Sequence, residues 1–134
     1  MADARPGGIR VLVVDDIPDT AESFARLLGR MGFESTFVTD PRLAVDSAYR
    51  FGADLVFLDI GMPGLDGYEV ARMLRGQFGW DKLRIVAVTA YGQQSDRDRS
   101  RQAGFDAHVV KPVSLDLVRS ILETMFPDQI PQGR

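Results

Sequence analysis

The sequence lacks cysteine altogether, which excludes disulfide bonds, thiol catalysis and cysteine-ligated zinc. Apolar runs long enough to cross a membrane are also missing, and residues 1–8 lack the apolar core of a signal peptide. Positive charge is not in excess, since 16 Lys and Arg residues face 19 Asp and Glu residues, for a net charge of −3. We therefore expect a cytoplasmic protein that neither inserts into a membrane nor binds nucleic acid.

Two nucleotide-binding motifs are absent as well. Gly61, Gly64 and Gly67 follow one another at three-residue intervals, which is not the Gly-x-Gly-x-x-Gly spacing of a dinucleotide loop. The sequence also has no Walker-type loop ending in Gly-Lys-Ser or Gly-Lys-Thr. A bound nucleotide cofactor is therefore not expected.

What the sequence does contain is a regular alternation of strand-like and helix-like segments. Short runs rich in Val, Leu and Ile predict buried strands, and Pro18 and Pro41 each fit the first turn of a helix. Five strands joined by helical crossovers are typical of an α/β domain with a parallel sheet and helices on both faces. The predicted strands are 9–14, 33–39, 53–58, 84–88 and 106–110, and the predicted helices start near residues 18, 41, 68, 93 and 114.

These segments predict a flavodoxin-like doubly wound (βα)5 fold with the strand order 2-1-3-4-5. The length of 134 residues fits a single domain over 9–126, with an N-terminal extension at 1–8 and a flexible tail at 127–134. Leu43 is expected on the apolar face of the second helix and Leu115 on that of the last. The helix over 93–102 is almost wholly polar, so it is either a solvated surface helix or an element that shifts between two positions.

Five chemically active side chains follow the apolar runs. Asp15 and Asp16 come after the first, Asp59 after the third, Thr89 after the fourth and Lys111 after the fifth. Each has a structural alternative: Asp16 as a helix cap, Asp59 as a turn residue, Thr89 as a β-branched strand end and Lys111 as a solvated lysine. In the predicted strand order, however, the three carboxylates meet at one edge, where their repulsion calls for a cation. Hard oxygen ligands favour Mg²⁺, and a nearby lysine and hydroxyl suit a phosphoryl group.

From about residue 9 to residue 125, the chain resembles a response-regulator receiver domain. It is most similar in its motifs to single-domain regulators and to the receivers of hybrid sensor kinases. The matching pieces are Asp15-Asp16, Asp59 with Met62-Pro63 and Asp66-Gly67, Thr89-Ala90, and Lys111-Pro112. The resemblance implies that Asp59 takes a phosphoryl group from a histidine kinase or a histidine phosphotransfer protein. Self-catalysed transfer and slow autodephosphorylation would then be the only reactions, so the chain would not be an enzyme in the usual sense.

The same resemblance implies roles for the surrounding residues. Asp16, Asp59 and the Gly61 carbonyl would ligate Mg²⁺, for which Mn²⁺ could substitute, and Asp15 would act on the ion directly or through a water molecule. Lys111 and Thr89 would hold the phosphoryl oxygens, and the Lys111–Pro112 peptide bond would be cis. Thr89 and the residue at position 108 would move together as a switch.

Position 108 departs from many receivers, which carry Tyr or Phe there, because this chain has its only histidine, His108. The alternatives are a satisfied strand residue, a smaller and more polar switch, and a pH sensor or phosphate-handling base. Val113 also stands where transcription-factor receivers commonly place an aromatic, which favours a monomer or weak dimer. Downstream partners are expected at the 93–102 helix, the 106–110 strand and the 114–126 helix.

Three functions are compatible with these features. The resemblance favours a phosphoacceptor switch or relay, with first-helix residues such as Asp19, Thr20 and Ser23 as candidate kinase contacts. An interaction module that keeps the fold but not the chemistry is the main alternative. A Mg²⁺-dependent phosphatase of small molecules is the third, although no substrate pocket is evident in the sequence.

Overall fold

The computed structural model describes residues 8–61, 66–79, 82–90 and 101–127. Its strands are β1 Arg10–Val14, β2 Glu34–Val38, β3 Leu55–Asp59, β4 Arg84–Thr89 and β5 Ala107–Val110. Its α-helices are α1 Pro18–Arg30, α2 Ala44–Phe51, α3 Gly67–Gln77 and α4 Leu115–Met125, with a 3-10 turn at Pro41–Leu43. All strand pairs are parallel and the order is β2-β1-β3-β4-β5, so the predicted fold and strand order are confirmed.

Two apolar layers cover the sheet because strand side chains alternate between its faces. On one face Leu12 and Val14 pack with residues of α2 and α3. On the other face Val11 and Val13 pack with residues of α1 and α4. This two-sided burial explains why the central strands read as continuous aliphatic runs rather than alternating ones.

The predicted place of Leu43 on a helix face is wrong, and Leu115 lies at the exposed end of its predicted apolar stripe. Leu43 is 51% exposed because the chain after Asp40 forms a 3-10 turn, in which the Asp40 carboxylate accepts the Arg42 N–H, and α2 begins only at Ala44. Leu115 is 43% exposed because it follows the N-cap Ser114 directly, and the buried face of α4 begins one turn later at Val118.

The return of the chain after β3 is fixed by a close approach at Gly67. A Cβ atom at this position would lie 2.6 Å from the Ile60 Cα atom, so only glycine fits there. Asp66 caps α3 by accepting the Tyr68 N–H at 2.9 Å. The start of α3 is therefore held directly against the residue that follows Asp59.

A buried ion pair closes the amino end of the sheet. The Arg75 guanidinium, on α3, contacts the Asp106 carboxylate at 3.0 Å, and the two side chains are 10% and 15% exposed. Arg75 also donates to the Gly104 carbonyl at 2.6 Å and to the carbonyls of Gly79 and Leu83. The Asp106 carboxylate accepts the Ile85 N–H at 2.8 Å. One guanidinium thus ties together the chain after α3, the start of β4 and the start of β5.

Several sequence predictions fall partly outside the described residues. Residues 101–103 are helical, whereas 93–100, most of the predicted polar helix, lie outside them. The terminal segments 1–7 and 128–134 lie outside them too, so the domain boundaries stay predictions. Within the described ranges, no helix has the length and apolar character needed to cross a membrane.

Candidate functional site

The strand register brings the predicted site residues to one edge of the sheet. Val14 pairs with Leu58, which places Asp15 beside Asp59 at the carboxyl ends of β1 and β3. Asp59 pairs with Val88, so Thr89 lies next along β4. Lys111 follows β5, and its backbone N–H donates to the Thr89 carbonyl at 2.8 Å.

Three carboxylates form a compact oxygen cluster. One oxygen each from Asp15, Asp16 and Asp59 lies within 4.8 Å of the other two. Asp15 and Asp59 are buried, while Asp16 is partly exposed. Hard oxygen donors at this spacing fit a divalent cation such as Mg²⁺, which keeps part of its water shell. The donor set is therefore chemically suited to the metal that the sequence predicts.

Lys111 is shared between two of these carboxylates. Its Nζ atom lies 3.4 Å from Asp15 Oδ2 and 3.3 Å from Asp59 Oδ2. The other oxygen of each carboxylate accepts a backbone N–H, from Ile17 at 3.0 Å and from Gly61 at 2.8 Å. Each carboxylate is thereby held in one orientation, with one oxygen toward the backbone and one toward the lysine.

The charges in this cluster shift one another's protonation. Burial raises the pKa of Asp15, and the nearby Asp59 charge adds to this, against the Ile17 N–H and Lys111, which lower it. Burial alone would lower the pKa of Lys111, but Asp59 and Asp15 together outweigh it and raise that pKa. The carboxylates thus hold Lys111 in its charged form, while the site penalises the charge of Asp15.

Thr89 lies on the same edge and is fully buried. Its hydroxyl donates to the Val109 carbonyl at 3.3 Å, across the gap between β4 and β5. This is a long hydrogen bond, and exchanging it for a bond to another oxygen would cost little. The Thr89 hydroxyl therefore has a hydrogen-bond partner in this structure, and it can exchange that partner for another oxygen at little cost.

The surroundings of the cluster test further expectations. The Lys111–Pro112 peptide bond is cis, as the resemblance implies. The N-cap of α1 is Ile17, so Asp16 does not serve as the helix cap that the structural alternative required. His108 lies on β5 beside Ala87 and is partly buried, which leaves all three interpretations of its role open.

An apolar cavity next to the cluster has no counterpart among the sequence predictions. The cavity has a volume of about 710 Å³ and reaches Asp59 and Lys111 at one end. Its walls include Phe24, Phe57 and Val88. These residues look like ordinary core positions in the sequence, because no local pattern distinguishes an apolar residue beside a cavity from one in a filled core.

A comparison with protein-family models decides the family. The model described as "Response regulator receiver domain" matches residues 11–123, which include every predicted site residue. The chain is a response regulator receiver domain. The family expected from the sequence is therefore confirmed, and with it a role in two-component signal transduction.

Curated relatives of this receiver domain include regulators and a kinase. It is 38% identical over 112 residues to the transcriptional regulatory protein TcrA of Mycobacterium tuberculosis, covering 84% of the chain and 44% of TcrA. It is 31% identical over 124 residues to the sensor histidine kinase RcsC of Escherichia coli, covering 92% of the chain and 13% of RcsC. The chain thus spans less than half the length of these relatives.

Solved structures also resemble this receiver domain. The receiver domain of the sensor histidine kinase PA1611 from Pseudomonas aeruginosa, with a magnesium ion in its active site cleft, is 33% identical. Its TM-score is 0.75, and the match covers 87% of this chain and 96% of that one. A two-component response regulator from Clostridium difficile has a TM-score of 0.78 at 19% identity, covering 90% of this chain and 97% of that one, which shows the shared fold.

Proposed function

We propose that Asp59 accepts a phosphoryl group from the phosphohistidine of a histidine kinase or a histidine phosphotransfer protein. The observation that carries this proposal is the position of the Asp59 carboxylate. It is 7% exposed, shares the Lys111 ammonium with Asp15, and lies in the three-carboxylate cluster. A nucleophile, a fixed positive charge and a set of metal ligands therefore converge at one edge of the sheet.

The transfer forms one bond and breaks one bond. An Asp59 carboxylate oxygen attacks the phosphorus atom, an acyl phosphate forms, and the phosphorus–nitrogen bond to the donor imidazole breaks. The imidazole nitrogen takes its proton from solvent. Lys111 already lies 3.3 Å from Asp59 Oδ2, so it can neutralise a phosphoryl oxygen without a large movement. Thr89 donates to another phosphoryl oxygen after releasing the Val109 carbonyl.

The carboxylates of Asp15, Asp16 and Asp59, with the Gly61 carbonyl, would hold Mg²⁺ or Mn²⁺. When bound, the ion supplies positive charge that offsets the charge on the phosphoryl oxygens. The magnesium ion in the receiver domain of PA1611 supports this ligand class. Asp15 is also suited to act through a bridging water, since one of its oxygens already accepts the Ile17 N–H.

Signal output would follow from the movement of Thr89 together with His108. A smaller and more polar side chain at position 108 gives a weaker apolar anchor than an aromatic ring would. The output surfaces would be the 93–102 helix, β5 and α4, reached by a partner protein in the cytoplasm. The chain itself would act as a monomer or weak dimer, and its only chemistry would be self-catalysed phosphorylation and slow dephosphorylation.

The test is intact-mass spectrometry after incubation with acetyl phosphate and Mg²⁺. We expect one phosphoryl adduct in the wild type, labile to base and to hydroxylamine as an acyl phosphate is, and none in Asp59→Asn. Asp46→Asn is the matched control, because the Asp46 side chain is 62% exposed and pairs with Arg50 on the surface of α2. Asp46→Asn should form the adduct as the wild type does.

Three outcomes would contradict the proposal. An adduct that persists in Asp59→Asn would place the acceptor elsewhere. No adduct with acetyl phosphate, phosphoramidate or a phosphorylated histidine phosphotransfer protein would favour an interaction module that does not depend on phosphorylation. Continuous release of phosphate without an adduct would indicate a phosphatase.

A further inference from the structure

The apolar cavity beside the carboxylate cluster extends from Asp59 along α1 as far as Leu27. Its floor is the sheet, with Val13, Phe57 and Val88 from β1, β3 and β4. Phe24 and Leu27 of α1 form one wall, and the Phe24 and Phe57 rings lie 4.8 Å apart between centroids. A volume of about 710 Å³ is in the size range of small-molecule sites.

Pro112 and Val113, in the turn that follows β5, also line the cavity. Val113 presents only two methyl groups to the cavity, so an aromatic side chain at this position would fill space that is open here. The cavity therefore depends on a small residue in the turn that carries Lys111.

The rim of the cavity is acidic. Asp15 and Asp59 line its inner end together with Lys111, whereas Asp19, Thr20 and Ser23 line the side formed by the first turns of α1. In the metal-free protein three lining carboxylates face one ammonium, and the Asp19 carboxylate keeps its negative charge when Mg²⁺ occupies the cluster. Lys111 is shared between Asp15 and Asp59, so Asp19 is the one of the three lining carboxylates that does not contact it. An apolar body with a positively charged head group is the ligand that complements both the walls and the rim.

We propose that this cavity binds a small organic cation with an apolar body, of the aryl- or alkylammonium class. The apolar body packs between Phe24 and Val113, and the ammonium group faces Asp19 at the rim. The ammonium group at Asp19 lies outside the metal cluster, whereas the inner end of the cavity shares Asp15 and Asp59 with that cluster. The cavity gives the phosphoacceptor a neighbouring binding site for a small molecule.

The test compares two probes that share a phenylethyl body and differ in charge, phenethylamine and 3-phenylpropionate. Binding to the wild-type protein is followed by methyl NMR in Mg²⁺ buffer at neutral pH. We expect phenethylamine to cause saturable shifts at the methyl groups of Val13, Leu27, Val88 and Val113. We expect 3-phenylpropionate to bind roughly threefold to fivefold more weakly, the scale of one exposed charge interaction.

Two variants locate the ligand. Asp19→Asn should remove the preference for the cation, because it neutralises the rim carboxylate and lies on the exposed surface of α1. Val113→Phe should abolish the shifts of both probes by filling the cavity. The comparison of the two probes on the wild type stands even if Val113→Phe does not fold.

Three results would overturn the proposal. The first is the absence of saturable shifts up to the solubility limit of phenethylamine, or shifts that map to another surface. The second is equal affinity for the two probes. The third is binding of phenethylamine that occurs only when Mg²⁺ is left out of the buffer, which would place the ammonium group in the metal cluster rather than at Asp19.

Discussion

The two ends of the sheet each hold a cluster of charged side chains, and the clusters are built in opposite ways. At the carboxyl end, Asp15, Asp16 and Asp59 outnumber the single ammonium of Lys111. At the amino end, one guanidinium and one carboxylate match, and carbonyls satisfy the remaining Arg75 donors.

This difference in charge balance suggests that the carboxyl end of the sheet serves binding and that the amino end serves stability. A charge cluster that lacks a counter-charge costs free energy until a ligand supplies it, so it is suited to binding. The Arg75 guanidinium donates to Asp106 and to three backbone carbonyls, so its donors are already used and none is left for a ligand. Its contribution is to hold α3, β4 and β5 in register. Changes at the two ends should therefore affect different measurements.

Arg75→Met should give the largest effect on stability. It leaves the Asp106 carboxylate buried without its counter-charge, which costs about 3–5 kcal/mol in free energy of unfolding. Urea denaturation measures this cost. Arg72→Met, on the exposed side of the same helix, is the matched control and should change stability by less than about 0.5 kcal/mol. Equal effects of the two variants would mean that the buried cluster does not stabilise the fold.

Mg²⁺ should act at the carboxyl end only. At about 100 times its dissociation constant it should stabilise the wild type by roughly 2.7 kcal/mol, because it binds the folded state alone. Asp16→Asn should lose most of this gain, since it removes one of three ligands. Mg²⁺ should stabilise Asp106→Asn as much as it stabilises the wild type, although this variant should be less stable than the wild type without Mg²⁺. Thermal unfolding with and without Mg²⁺ distinguishes the two, and a gain that survives in Asp16→Asn would argue against the cluster as the metal site.

Gly104→Ala should disturb the amino end by a smaller amount. Gly104 has a φ of +109°, and an added Cβ would lie 3.1 Å from Arg75 Cβ, so a cost of about 1–3 kcal/mol is expected. Gly76→Ala, near the end of α3, is the control, because its added Cβ would meet no side chain and no other segment of the chain within 4 Å. It should stabilise the protein by up to about 1 kcal/mol. Chemical denaturation measures both changes in the free energy of unfolding. If the two variants were both stabilised or both destabilised, the predicted strain at Gly104 would be contradicted.

Asp15→Asn should cause the smallest change in the free energy of unfolding. This change should stabilise the protein, whereas Arg75→Met and Gly104→Ala destabilise it. The raised pKa of Asp15 means that its charged form disfavours the folded state, so the metal-free variant should gain on the order of 1 kcal/mol at neutral pH. The asparagine oxygen still accepts the Ile17 N–H. As the pH falls through the raised pKa toward the ordinary value of 3.8, wild-type Asp15 takes up a proton and the difference should shrink. Denaturation across this pH range measures it, and a difference that grows at low pH would contradict the sign.

The fold class, the strand order and the position of the candidate site all follow from the amino-acid sequence. Alternation and periodicity are local signals, and parallel strands that point the same way bring the residues after them to one edge. The sequence pattern alone therefore places Asp15, Asp59, Thr89 and Lys111 together. The family resemblance added the roles that remain proposed for them.

How these residues contact one another depends instead on the packing of the folded chain. Lys111 lies 96 positions from Asp15 in the sequence, and Arg75 lies 31 positions from Asp106. The exposure of Leu43 and the open cavity beside Val113 also depend on how whole elements pack. Such contacts join distant segments, and no window of local sequence contains that information.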